Sequence, residues 1–211
     1  MKLKILKSIV FLLMIMPLGH QIHHQPQSNH YIEEIRTFQI EMNNEFKNPE
    51  LSPLTPDDLQ KFSGLQFYEI DSNYKVVASL TYQIDTTQFE MKTTTARRPK
   101  YRKYAMATFI LNKKMQSITL YKNIDLSKKA AYKNHLFVLF TDETSGNGSY
   151  AGGRYLDLTT PIDSNTIIID FNKAYNPYCA YNTKYSCPIP SNEDHISDFI
   201  KAGVKDFEKK H

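Results

Sequence analysis
The sequence predicts a mainly β protein: an antiparallel β-sandwich or small β-barrel of about seven strands, with an N-terminal helix and a short C-terminal helix. Three observations carry this. Apolar and polar residues alternate over much of Tyr74 to Tyr121, the period of half-buried strands. The apolar runs are separated by short polar turns, as antiparallel connections are. The chain also carries 14 Tyr and 12 Phe, rings that pack well on a pleated surface. With 211 residues, 41% of them hydrophobic and 23% charged, a single domain with its own core is expected.

Each element follows from its local pattern. Between Tyr31 and Lys47, the residues Ile35, Phe38, Met42, Glu45 and Phe46 recur at helical spacing. Only Glu45 in that stripe is not apolar, and Ser28 or Asn29 can cap the helix. A second, short helix begins at Thr55 as cap with Pro56 in its first turn, and stops at Gly64. Tyr74, Val76, Ala78, Leu80, Tyr82 and Ile84 form one face of a first strand and are expected to point inward together. Phe89, Met91 and Thr93 continue into a second strand after the turn Asp85-Thr86-Thr87. A third and a fourth, Tyr101 to Leu111 and Met115 to Tyr121, join at Asn112-Lys113-Lys114 and complete a four-strand meander. Leu136 to Phe140 is an unbroken apolar run, read as a buried strand, and Tyr155 to Leu158 and Ile167 to Phe171 supply two more. The last helix is placed at Glu193 to Ala202, with Asn192 as cap and Gly203 as stop.

The domain organisation is a signal peptide over residues 1–24, a linker over 25–30, and a single β-rich domain over 31–211. Lys2, Lys4 and Lys7 precede an apolar stretch from Ile9 to Leu18, the layout of a secretory signal. That stretch is shorter than the ~20 residues of a spanning helix. The expected localisation is therefore exported, periplasmic or extracellular, with no membrane insertion after signal cleavage. His20, His23, His24 and His30 crowd the segment behind it, but a solvated tail does not hold ligands at fixed geometry, so no metal is assigned. Loss of the three lysines lowers the formal charge from +4 to +1. A nearly neutral domain has no overall attraction for nucleic acid, and none is expected as a partner. The basic cluster Arg97, Arg98, Lys100, Arg102 and Lys103 is read as a solvated hairpin loop.

The chemistry-bearing residues gather in the last third. Four of the seven glycines fall between Gly146 and Gly153, and both cysteines follow. This glycine run lacks the Gly-Lys-Ser/Thr ending of a phosphate-binding loop, and Asn147-Gly-Ser149 departs from a hydrolase elbow. His135 and His195 have no nucleophile beside them in sequence. Asp142, Glu143, Asp157 and Asp170 lie around Arg154, either as acid–base groups or as a salt-bridge network with Arg154 paired to Glu143 or Asp170. In an oxidising compartment Cys179 and Cys187 are expected to form a disulfide. Closing so short a loop is worth roughly 2.6 kcal/mol.

These runs resemble a bacterial family catalogued as domain of unknown function 1684. The likeness spans about Ile35 to Lys205. It rests on Glu143-Thr144 leading to Gly153-Arg154-Tyr155-Leu156, and on Asp170-Phe171-Asn172 through Ala174-Tyr175-Asn176-Pro177 to Cys179, closed by Cys187-Pro188. Ser52-Pro53-Leu54, Phe62 with Gly64-Leu65, and Asp71, Tyr74, Val76 and Ala78 also fit. Extra residues expand the run from Asn147 to Gly153, and Val204 stands where an acidic residue is usual after Ala202-Gly203. The resemblance brings no activity and no cofactor. The leading functional expectation is an exported domain that binds a small polar or anionic ligand through Glu143, Arg154, Tyr155, Asp170, Asn172, Tyr175 and Asn176. The competing readings are a hydrolase with Glu143 or Asp170 as base, and a purely structural motif. Nothing in the chain sets an oligomeric state.

Overall fold
A computed structural model describes residues 26–207 except 84, 86 and 163. The signal peptide assigned to residues 1–24, three of the four clustered histidines and Ile84 therefore lie outside the described residues. Helix α1 runs Pro26–Lys47, so most of the segment read as a linker is already helical. Helix α2 (Pro56–Lys61) starts as expected: Thr55 accepts from the Asp58 amide, and Pro56 occupies the first turn, where no backbone donor is needed. Eight strands follow: β1 (Lys75–Tyr82), β2 (Phe89–Glu90), β3 (Lys100–Leu111), β4 (Lys114–Asn123), β5 (His135–Asp142), β6 (Arg154–Thr159), β7 (Thr166–Asp170) and β8 (His195–Ile196).

The strands form one mainly antiparallel sheet curled into a half-barrel, in the order β6-β5-β4-β3-β1-β7. The β3–β4 hairpin turns at Asn112 and Lys113, both in the left-handed region at φ 48° and 64°, as a two-residue hairpin requires. The expected meander is rearranged. β1 pairs with Ala105–Thr108 of β3, while β2 pairs with Lys100 and Tyr101 of the same strand. The two lie end to end along one edge of β3. A bulge between Lys103 and Ala105 lets this happen, because an extra residue switches which face the following side chains take. Ala105, Ala107, Phe109 and Leu111 face the main core, whereas Tyr101 faces a second cluster on the other side.

Val76, Ala78 and Leu80 point inward as expected, and Tyr74 packs at the core margin. Tyr82 departs from the stripe. It is 42% exposed and donates to the Ser164 carbonyl at the end of the strand. The basic cluster is not one loop: Arg97 and Arg98 precede β3, but Lys100, Arg102 and Lys103 are part of it. The helix expected over Glu193 to Ala202 is replaced by a 3-10 turn (Asn192–Asp194) and then β8, which pairs parallel with Thr141 and Asp142 of β5. Ser191 and Asp194 cap each other there, and the buried Asp194 also accepts from the Tyr121 hydroxyl at 2.9 Å. Those tertiary bonds satisfy the backbone entry that a longer helix would otherwise have continued from.

β5 is covered on both faces, which is why it reads as a continuous apolar run. Leu136, Val138 and Phe140 enter the main core; Phe137 and Leu139 enter the second cluster with Met91, Tyr121, Tyr155 and Cys187. The lid over that second face is the segment from Tyr175 to Pro188. The C-terminal half of α1 adds a third cluster through Phe46, which packs with Leu54, Leu65, Tyr181 and Val204.

Candidate functional site
The expected site residues separate into three places. The first is built around Arg154. It opens β6 directly opposite Phe140 on β5, on the inward face. Two residues on, Asp142 is on that same face, whereas the intervening parity turns Glu143 out to solvent. Arg154 therefore pairs with Asp142 at 2.8 Å, with both side chains 0% exposed, and not with Glu143 or Asp170. Asp170 ends β7 at the far edge of the sheet. The guanidinium also donates to the carbonyls of Ile200 (2.8 Å), Ala202 and Val204 (3.4 Å), and to Thr144 Oγ1. Asp142 Oδ1 accepts from the amides of Thr144 and Ile200. The two terminal nitrogens of the planar fork serve this cluster of acceptors, while Nε is buried with no hydrogen-bond partner among the described residues. The pair staples the C-terminal segment to the end of the sheet and leaves Arg154 no face open to a ligand. Glu143 sits outside it, 3.4 Å from His195 Nε2.

The glycine run serves the same staple. Gly153 has φ 86°, and a Cβ there would lie 2.5 Å from the Phe140 carbonyl oxygen. Only glycine fits between that strand and Pro190. Thr144 and Ser149, both buried, close the loop through their hydroxyls at 2.7 Å.

The second place ties α1 to the sheet. Asp170 accepts from the Tyr31 hydroxyl at 3.0 Å, and from both the backbone and side-chain nitrogens of Asn172. Asn172 in turn donates to the Asp71 carbonyl at 2.8 Å and accepts from the Asp71 amide at 3.0 Å. Every polar atom of that amide is used, as buried amides require. Burial, then Asp170, pushes the Tyr31 hydroxyl pKa upward.

The third place is a cleft of about 620 Å³ on the second face of the sheet. α1 supplies Phe38, Met42, Glu45 and Phe46; β5 and β6 supply Phe137, Tyr155 and Asp157; the covering segment supplies the rest, including Tyr175, Asn176, Tyr178 and Tyr185. Tyr155 and Tyr175 are brought together by a reciprocal backbone pair, N to O at 2.8 and 3.0 Å. Their hydroxyls are both committed: Tyr155 to the Pro188 carbonyl, and Tyr175 to Asp157 Oδ2 at 2.7 Å. Asp157 Oδ1 meets His135 Nε2, also at 2.7 Å. Burial first, and then Asp157, pushes the Tyr175 pKa up, so this hydroxyl stays a donor. Burial, and after it Glu45, Tyr185 and Asp157, pushes the Tyr178 pKa up as well.

Asn176 carries the cleft's clearest signal. It is 1% exposed, and Nδ2 donates to the Lys205 carbonyl at 2.9 Å, which fixes the amide's orientation. Oδ1 is buried and has no hydrogen-bond partner among the described residues. An acceptor left without a partner in a native fold calls for an explanation, because desolvating it costs about 1–3 kcal/mol.

The cysteines flank this cleft as free thiols, so the expected disulfide is not formed. Cys187 is a wall residue, and the Cys179 amide donates to its sulfur at 3.2 Å. The Cys187 thiol acts as a donor toward the Cys179 sulfur. The bond from Cys187, with a further one from Tyr150, lowers the Cys179 pKa to about 6. The same bond raises that of Cys187.

Of the seven expected site residues, the structure gathers only Tyr155, Tyr175 and Asn176 at the cleft. Sequence reasoning missed Glu45, Asp157 and the Tyr178–Tyr185 wall as cleft residues. One signal was present: Glu45 interrupts an otherwise apolar helical stripe.

The comparisons agree with the architecture. The solution NMR structure of an uncharacterized protein of Haloarcula marismortui, a structural genomics target, is similar with a TM-score of 0.65 and 28% identity. That likeness covers 85% of this chain and 96% of the archaeal one. No functionally curated protein matches. The model of the family described as "Protein of unknown function (DUF1684)" matches residues 60–205. By that match, which takes in β1 to β8 and the Arg154–Asp142 pair, the chain belongs to the DUF1684 family.

Proposed function
We propose that the protein is an exported small-molecule-binding domain whose ligand occupies the aromatic cleft. One observation carries the reading: a 620 Å³ cleft with aromatic walls holds a buried, unpartnered acceptor, Asn176 Oδ1. Apolar walls with a few placed polar groups are the usual make-up of a ligand site. Arg154, Asp170 and Asn172 are spent on structure, so the anionic ligand expected on Arg154 loses its cation. The hydrolase reading has no comparable support: Asp170 is saturated, and Glu143 faces His195 away from the cleft. Export rests on the N-terminal charge and apolar pattern.

The binding reading is tested by NMR on protein with labelled tyrosine rings, titrated with a mixed-charge fragment set. Ligands should move the Tyr178 and Tyr185 resonances and leave Tyr82 unchanged. A set in which no member moves either cleft ring refutes the reading. For export, protein recovered from its host should lack the first ~20 residues, as a cleaved signal of that type does; an intact Met1 in the cytoplasmic fraction refutes it.

A further inference from the structure
Resting on the cleft reading above, we infer that the ligand class is a protonated primary or secondary organic amine with an apolar or aromatic body. The argument is an inventory of donors and acceptors. The hydroxyls of Tyr155 and Tyr175 donate to Pro188 and Asp157, and Asn176 Nδ2 donates to Lys205. The one cation of the wall, Arg97, turns its guanidinium onto Ser186, reaching the carbonyl at 2.6 Å and Oγ at 3.1 Å. The fixed donors of the cleft are thus largely consumed. What remains is the rotatable hydroxyls of Tyr178 and Tyr185, which accept as readily as they donate, and three acceptors: Asn176 Oδ1, the Glu45 carboxylate and the outer lone pairs of Asp157.

Charge runs the same way. Glu45 makes no side-chain hydrogen bond or ion pair among the described residues, although it stands beside Phe46 in an apolar stripe. Glu45 and Asp157 both line the cleft, so its wall carries two carboxylates against the single cation of Arg97. The rings there present π-faces. Tyr178 packs against Tyr185 with centroids 5.2 Å apart, and Phe46 lies edge-on to Tyr181 at 4.8 Å. Aromatic faces attract cations, more strongly when water is excluded. An anion would meet two carboxylates, with Arg97 already turned onto Ser186. A quaternary ammonium would satisfy the rings but leave Asn176 Oδ1 without a hydrogen bond. An N–H-bearing ammonium satisfies both, and the apolar floor accepts its body.

The test uses 2-phenylethylamine, its neutral analogue 2-phenylethanol, the anion 3-phenylpropanoate and the trimethylated amine, each titrated by calorimetry with the tyrosine-ring NMR readout in parallel. The amine should bind at least about tenfold tighter than the alcohol, in keeping with a desolvated cation–π contact plus a carboxylate. The trimethylated amine should fall between them, and the anion should bind weakest. Glu45→Gln, an exposed and fold-neutral change, should weaken the amine several-fold and leave the alcohol unchanged. Alcohol or anion binding to the same rings as tightly as the amine overturns the amine class while the cleft stands. Indifference of the amine to Glu45→Gln also overturns it. If none of the four probes moves Tyr178 or Tyr185, this inference falls together with the cleft reading.

Discussion
Replacing Arg154 by alanine separates structure from binding most cleanly. The pair it forms with Asp142 has both side chains 0% exposed, and three backbone carbonyls of the segment from Ile200 to Val204 accept from the same guanidinium. Truncation leaves a buried carboxylate without its cation, a loss of about 3–5 kcal/mol. The stranded carbonyls add to it, each by about 1–3 kcal/mol if they stay dry, less than additively because they share one donor group. A total of about 5 kcal/mol is a large part of the ~5–15 kcal/mol that holds a typical domain together. At ~2–4 °C per kcal/mol for a chain of this size, the midpoint should fall by about 10–20 °C. Urea unfolding followed by far-ultraviolet circular dichroism measures this directly. Asp142→Asn should cost less, since it keeps acceptor geometry, and the double variant should show strong coupling. A loss under about 1 kcal/mol would refute the staple, because exposed ion pairs give values of that size. Amine affinity per folded molecule should be unchanged at low temperature; loss of cleft binding in folded Arg154→Ala would mean the two places are not independent.

Three further outcomes follow from the geometry. Gly153→Ala places a Cβ 2.5 Å from the Phe140 carbonyl oxygen at φ 86°, and should cost at least about 2 kcal/mol by the same unfolding assay. Tyr31→Phe removes a hydrogen bond to the Asp170 carboxylate at 3.0 Å and should cost about 1.5–3 kcal/mol, with faster amide exchange in α1 as its local signature. Reduced protein should be alkylated at Cys179 with a midpoint near pH 6, and Cys187→Ser should raise that midpoint because Cys187 supplies the largest stabilisation of the thiolate. The sign for stability follows. The Cys179 pKa is depressed from its ordinary 9.0 to about 6, so its contribution is present above pH 9 and is lost as pH falls toward 6. The raised Cys187 pKa acts oppositely, since the folded state keeps a proton that the unfolded thiol releases above pH 9. A stability profile flat from pH 6 to 9 in the reduced protein would contradict the depressed Cys179 pKa.

What was legible in the sequence is what short-range periodicity encodes. The alternation from Tyr74 to Leu80, the turn at Asn112-Lys113 and the Thr55-Pro56 helix start are each set by neighbours a few positions apart, and each appears where expected. The departures all involve tertiary partners. β2 and β1 share one edge of β3 because a bulge changes facing in mid-strand, and a bulge leaves no mark in a pattern of apolar residues. The segment Glu193 to Ala202 has a good cap and stop, yet Asp194 is held by Tyr121 and β8 by β5, so packing overrides local helix preference.

The site was legible by composition and illegible by partition. The glycines, the arginine, the paired carboxylates and the Asn-Tyr-Asn run are all grouped within one stretch of sequence, which invites a single pocket. Strand parity divides them. Asp142 and Arg154 turn into the core, Asp157 and Tyr155 turn to the opposite face, and Asp170 ends the strand at the other edge. Alternation along β5 and β6 therefore decides that Arg154 and Asp142 form a staple while Tyr155 and Asp157 face the cleft, and position at the β7 edge sets Asp170 apart. The separation has a physical logic. Arg154 with Asp142, and Asp170 with Asn172, hold the C-terminal segment and α1 in place; α1 supplies one wall of the cleft, and the C-terminal segment backs the lining from behind: Val204 packs with Phe46, and Asn176 bonds the carbonyl of Lys205. The buried charges act on the cleft by fixing its walls, which is why an uncommitted acceptor such as Asn176 Oδ1 can persist there without the surrounding chain collapsing to satisfy it.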